Sequence, residues 1–220
     1  MWDSLTRTLL ALTFVTGIVD AVSFIALGHV FAGMQTGNVL FLGLGIGGAP
    51  GAAFWAPLIS LVAFVLGGAV GILLARRAYG GRPALGRAIA LEALLLVAAA
   101  CFLVAAQVSE GDAAAHVTVA LLALAMGTRS TVARGVGDPS LATTVLNLSF
   151  ATLLVGGAGV ATRPELFHRA AAVGAILAGA VAGALLVKSS PQVAIGAAAA
   201  LSALLAVHAF GAGRRLQTQA

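Results

Sequence analysis

Apolar runs of about twenty residues follow one another along this chain with almost no charge inside them, at 4–27, 30–48, 52–76, 84–107, 113–134, 140–160, 166–188 and 191–211. Twenty residues of helix are about 30 Å long, the thickness of a bilayer's hydrocarbon. No water is available there, so every backbone N–H and C=O must find its partner inside the protein, which leaves only helices or a closed barrel. The runs lack the polar–apolar alternation of barrel strands. Charged residues make up 9% of the chain against about a quarter in soluble domains, and mean hydropathy is +1.07. The fold class is therefore all-α: a polytopic membrane helix bundle, one membrane domain over 1–220, with the lipid bilayer as its first partner. The leading run, with Asp3 early and Asp20 near its end, reads as the first helix rather than a cleaved leader. A net charge of +5 does not indicate nucleic acid, because the basic residues flank the apolar runs instead of forming one patch. The single cysteine, Cys101, excludes an internal disulfide and any CxxC metal site.

The halves are related. "FVLGGAVGILLARR" at 64–77 resembles "AILAGAVAGALLVK" at 175–188, a displacement of 111, and "FVTGIVDAVSF" at 14–24 aligns with "ALAMGTRSTVA" at 123–133 with Gly17 over Gly127. "MQTGNVLFL" and "TTVLNLSFATLL" match in character, each a small polar cluster within an apolar run. The expected units are 4–107 and 113–212.

Charge selects the topology. Eight spans would scatter the twelve Lys and Arg seven to one side and five to the other. If 30–48 and 140–160 enter the membrane and return, or are broken, six spans remain. Arg7, Arg76, Arg77, Arg82, Arg87, Arg129, Arg134, Arg163, Arg169, Arg214 and Arg215 then share one side, and only Lys188 lies on the other with the acidic 110–112 stretch. Eleven of twelve obey the positive-inside rule, placing both termini in the cytoplasm. Three spans per half make the duplication an inverted repeat. Short glycine-rich, polar segments at matching places in such repeats point to a site near the midplane.

That site would draw on Gln35, Thr36, Gly37 and Asn38 in the first half and Thr143, Thr144, Asn147 and Ser149 in the second. The amides and hydroxyls supply donors and acceptors, and Gly37 allows a bend or a close approach. The competing reading is that they bond across helices as packing. Asp20, Glu92 and Arg129 lie within apolar runs, where an ionisable group costs several kcal/mol unless paired or hydrated. Asp20 and Arg129 occupy related helices at similar depth, so the expectation is that they pair. A neutralised Asp20 or Glu92, and His29 at the end of the first run, are candidates for proton coupling. "GVGD" at 135–138 has the form of an intramembrane aspartyl protease motif, but Pro139 makes it a helix end and turn. No hydrolase, zincin or phosphate-loop motif occurs. The expectation is a protein that is not an enzyme, with no cofactor and no metal. Small-xxx-small pairs Gly43/Gly47, Gly67/Gly71 and Gly179/Gly183 suit close helix crossings inside the chain, with a homo-oligomer as the lesser use.

Residues 16–47, "TGIVDAVSFIALGHVFAGMQTGNVLFLGLGIG", resemble the YoaK-type family of bacterial membrane proteins of unknown function. The resemblance rests on Gly17, Asp20 and Ala21, a Phe-bearing run, then Thr36, Gly37 and Asn38. It continues through Leu91-Glu92, Ala125-Met126-Gly127 and 143–150. The sequence departs from the family pattern at Arg129-Ser130 and at Asn147. The resemblance implies a bacterial inner-membrane location and carries no activity with it. From the architecture, the expected function is a transporter or channel for a small solute or ion. Gln35, Thr36 and Asn38 would supply polar contacts, while Asp20, Arg129 and Glu92 would set charge selectivity or coupling. The alternative is a non-transporting assembly or scaffold module.

Overall fold

The computed structural model describes residues 3–77, 81–106, 112–136 and 163–217. They form seven helices: α1 Ser4–Ala26, α2 Gln35–Ile46, α3 Trp55–Arg77, α4 Gly81–Ala106, α5 Ala113–Val136, α6 Arg163–Val187 and α7 Pro191–Gln217. There is no strand among the described residues. All except α2 are long and apolar enough to cross a membrane. The second apolar run is a 12-residue helix about 18 Å long. That is too short to span.

Asp3 starts α1 by accepting the Thr6 N–H at 2.8 Å. Within α1 the hydroxyls of Thr8, Thr13 and Thr16 donate to the carbonyls of Ser4, Leu9 and Leu12, so these polar side chains are satisfied by their own helix. α1 and α5 are the most enclosed spans, while α3 and α6 turn large apolar side chains such as Val65, Leu73, Leu177 and Leu185 outward. One apolar cluster joins Val15, Val19, Leu96, Leu122, Met126 and Ile195; a second joins Leu9, Leu85, Ile89 and Val132.

Two helix crossings hold this arrangement. A Cβ added to Gly17 would fall on the Ile176 carbonyl oxygen, and one on Gly179 would fall on that of Phe14. The α3–α5 crossing repeats the pattern, with Gly127 against the Phe64 carbonyl and Gly67 against that of Leu124. One turn further along, Gly183 meets the Ile18 carbonyl as Gly71 meets that of Thr128. The offset is 110 residues between α1 and α5 and 112 between α3 and α6. The contacts thus correct the sequence alignment of 64–77 with 175–188 by one position. Gly67/Gly71 and Gly179/Gly183 are intramolecular seams, whereas a Cβ at Gly43 meets nothing among the described residues.

Residue numbers rise together across both crossings, so α1 runs parallel to α6 and α3 to α5. On α4 and α7, Glu92 meets Ser202 and Gly86 meets Phe210, so these two are antiparallel. The ends follow. α1, α4 and α6 begin, and α3, α5 and α7 finish, at one end of the bundle. Arg7, Arg76, Arg87, Arg134 and Arg169 gather at this basic end, while Asp112 and Lys188 mark the other. Arg129 does not belong to the boundary set. It is 2% exposed, inside the bundle.

Replacing Gly127 or Gly179 by Ala would force two backbones apart, and overpacking of this kind costs about 1–3 kcal/mol. Thermal unfolding in detergent is expected to show that loss for both, while Ala at Gly43 or Gly196, where a Cβ meets open space, leaves stability unchanged or raised. Equal effects at all four positions would show that the crossings do not depend on close backbone approach.

Candidate functional site

After Leu27 the chain reverses through Gly28 (φ +108°) and His29 (φ +55°), both left-handed, and residues 30–34 run back along α1 without helical hydrogen bonds. Val30 and Ala32 are fully buried. The bare backbone of this stretch must be satisfied by side chains. Asn38 serves Phe31: Oδ1 accepts its N–H at 2.9 Å and Nδ2 donates to its carbonyl at 2.6 Å. Ser60 Oγ donates to the same carbonyl at 2.7 Å, and Gln35 Nε2 donates to the Ala32 carbonyl at 2.8 Å. Asp20 Oδ1 accepts the N–H groups of Ala32 at 2.9 Å and Gly33 at 2.7 Å. Gln35 and Asn38 are further tied together and to Ser60.

The Gln-Thr-Gly-Asn motif is therefore split by the helix it begins. Gln35 and Asn38 brace the returning chain. Gly37 fits beneath the ring of Phe31, where a Cβ would come within 2.8 Å of it, and Phe31 stacks with Phe24 and Phe41. Thr36 points the other way and is exposed, outside the cluster.

A second group occupies the middle of the bundle. Arg129 Nη1 donates to the Leu12 carbonyl at 2.7 Å and to Glu92 Oε1 at 3.3 Å. Its Nη2 donates to Thr16 Oγ1 at 2.5 Å and approaches Met126 Sδ at 3.4 Å. Ser202 Oγ donates to Glu92 Oε1 at 3.3 Å. Thr16 lies about 18 Å along a helix of about 35 Å, so this group is near mid-span. Four of the spans meet in it: α1, α4, α5 and α7.

The expected Asp20–Arg129 ion pair is replaced by Arg129–Glu92. Asp20 lies one turn beyond Thr16, and its carboxylate is directed at the returning chain instead, although the Arg129 charge still acts on it through space. One oxygen of each acid, Asp20 Oδ2 and Glu92 Oε2, is buried without a hydrogen-bond partner among the described residues. His29 stands apart, edge-on to Phe24 with ring centroids 5.2 Å apart, beside a recess of about 490 Å³ also lined by Phe41, Leu44, Pro50 and Pro57. Thr143, Thr144 and Asn147 lie outside the described residues. Three participants were missed in the sequence: Thr16, Ser60 and Ser202. Each is a hydroxyl inside an apolar run, and the rule that singled out the amides applies to them too.

Six apolar spans around a buried charge cluster, with a short helix held against them by side-chain-to-backbone bonds, define a multi-span membrane protein. The chain belongs to the family described as "Protein of unknown function (DUF1275)", whose model matches residues 8–208. It is 33% identical over 151 residues to the UPF0700 transmembrane protein YoaK of Bacillus subtilis (strain 168), a match covering 67% of this chain and 65% of that protein. The match thus spans just under two thirds of the relative's length. No solved structure matches the fold.

Arg129→Gln strands the Glu92 carboxylate in the interior, a situation that costs about 3–5 kcal/mol. The expected result is a marked fall in melting temperature for Arg129→Gln, and a partial recovery when Glu92→Gln is added. Strictly additive losses would mean that the two side chains are not coupled. Asn38→Ala leaves both Phe31 backbone groups without their amide partner and is expected to cost about 1–3 kcal/mol; Thr36→Ala should cost nothing measurable in the same assay.

Proposed function

We propose that this protein is a transporter or channel for a small solute or ion, working from the cytoplasmic membrane of a bacterium with both termini inside. One observation carries the reading: a guanidinium and two carboxylates are buried in the centre of a six-span bundle. Ionisable groups at that depth are costly and mark substrate or ion pathways, proton relays and ligand counter-ions.

The architecture supports it. The crossings α1–α6 and α3–α5 are matched contact for contact, and Glu92 faces Ser202, the residue 110 positions later, as Gly127 stands 110 after Gly17. These matches support a reading as two inverted halves of three spans each. The 27–54 segment leaves α1 and enters α3 at the same end of the bundle, with its backbone reaching Asp20 between; this supports a re-entrant element ending in α2. α5 finishes and α6 starts at the basic end, which fits a counterpart over 140–160. Inverted repeats with broken segments place substrate and coupling ions where the halves meet. In this reading Asp20, Glu92 and Arg129 provide charge recognition and coupling. Gln35, Gly37 and Asn38 hold the entering segment in shape, and Thr143, Thr144 and Asn147 serve the second half. Thr36 and His29 lie beside the path.

A scaffold role is the second reading, favoured by the complete use of the Gln35 and Asn38 amides inside the chain.

Purified protein in liposomes is expected to pass at least one member of a panel of small ions and polar solutes. Thr16→Val, which removes a contact to Arg129 without stranding a charge, should lower that flux about tenfold, the effect of about 1.4 kcal/mol. No flux for any panel member would favour the scaffold. In a Cys101→Ala background, Arg82→Cys should label only from the cytoplasm and Asp112→Cys only from outside; the reverse would invert the assigned orientation.

A further inference from the structure

The buried charges do not balance. Among the described residues the ionisable side chains enclosed by the spans are Asp20, Glu92 and Arg129, so two carboxylates face one guanidinium and one negative charge is left over. Arg129 is committed to Glu92 by direct contact, which makes Asp20 the carrier of the excess. Asp20 is 95% enclosed: Oδ1 takes the N–H bonds of Ala32 and Gly33, the Met34 N–H also acts on the carboxyl, and among the described residues Oδ2 has no hydrogen-bond partner. Removal from water works against the charged carboxyl and the backbone N–H groups work for it, and the unused oxygen is where a proton can be added.

Among the described residues no other titratable group is in position to take this role. α2 carries none, and α3 has none before Arg76. α6 has none between Arg169 and its end, and α7 none before His208. On α4, Cys101 is exposed and Glu92 is paired. On α5, His116 is near the far end from Arg129, and Arg134 lies toward the basic end. His29 is turned to Phe24 in the outer recess.

We propose that Asp20 is the proton-binding site of this protein: a proton from the medium adds to the free Oδ2, forming the neutral acid while Oδ1 keeps its hold on residues 32 and 33, and leaves again as the carboxylate reforms. The proposal deepens the transport reading, on which its purpose rests, and names Asp20 rather than Glu92 or His29 as the coupling group. Because the same carboxyl anchors the turn before α2, the bound proton sits at the root of the segment that enters the bundle.

The test reads the carboxyl group itself and needs no transport. Infrared spectra of the wild type in liposomes, titrated from acid to alkaline pH at fixed sodium, should contain one buried carboxylic C=O band that shifts in deuterium oxide and disappears as pH rises. That band should be absent from Asp20→Asn, retained by Glu92→Gln and restored at an altered pH by Asp20→Glu. Asparagine keeps an oxygen for the Ala32 and Gly33 N–H groups, and an unchanged elution profile and melting curve would certify its fold. Should Asp20→Asn not fold, the Asp20→Glu and Glu92→Gln spectra decide alone, since only a band from residue 20 changes in the first and survives in the second. A band lost in Glu92→Gln, no titrating band in the wild type, or one displaced by sodium at constant pH would overturn the proposal. If the band behaves as stated while liposomes show no flux, the proton site stands and the transport reading falls.

Discussion

Lipid gives apolar helices no reason to leave it, since hydrocarbon solvates leucine as well as another helix does. What holds this bundle together is therefore close contact between backbones, and everything else depends on it. At Gly17 and Gly179, and again at Gly127 and Gly67, one helix lies directly on the carbonyl oxygens of another. Side chains elsewhere on α3 and α6 stay outward and apolar. The two seams fix α1 and α5 in the centre, and only because these two are central can Thr16 and Arg129 meet.

The polar interior solves two separate problems with separate residues. Around Phe31 the need is to satisfy a backbone that has left helical geometry, and neutral amides with a serine suffice because their own donors and acceptors are met in return. Around Arg129 the need is to keep a permanent cation in a buried site. A carboxylate, a carbonyl, a hydroxyl and a thioether surround it. Asp20 touches both problems: its carboxyl serves the backbone, and it lies within the field of the guanidinium.

The spans were legible in the sequence because length and apolarity alone decide them; the described helices begin and end within a few residues of the apolar runs. Basic residues distinguished crossing segments from the one that proved too short. The site was less legible. Gln35, Asn38, Glu92, Asp20 and Arg129 stand out by polarity, but their partners depend on helix rotation and on which helices cross. Asp20 and Arg129 look matched by depth, yet the guanidinium turns toward α4. Thr36 could have been separated from Asn38, since two residues along a helix rotate the side chain by about 200°. That Asn38 grips Phe31 follows from the reversal at Gly28 and His29, whose left-handed geometry at a histidine has no sequence signal.

The seams run between the halves and not within them: α1 crosses α6, and α3 crosses α5. During synthesis α1 is therefore threaded into the membrane more than 150 residues before its crossing partner is made. It carries Asp20 into the bilayer while Gly17 still has lipid for a neighbour. Until α6 arrives, the nascent protein must shelter that helix with the translocation machinery or with the chain's own returning segment at 30–34. The half that is translated first is finished by the half translated last, so maturation hinges on the final hairpin rather than proceeding helix by helix.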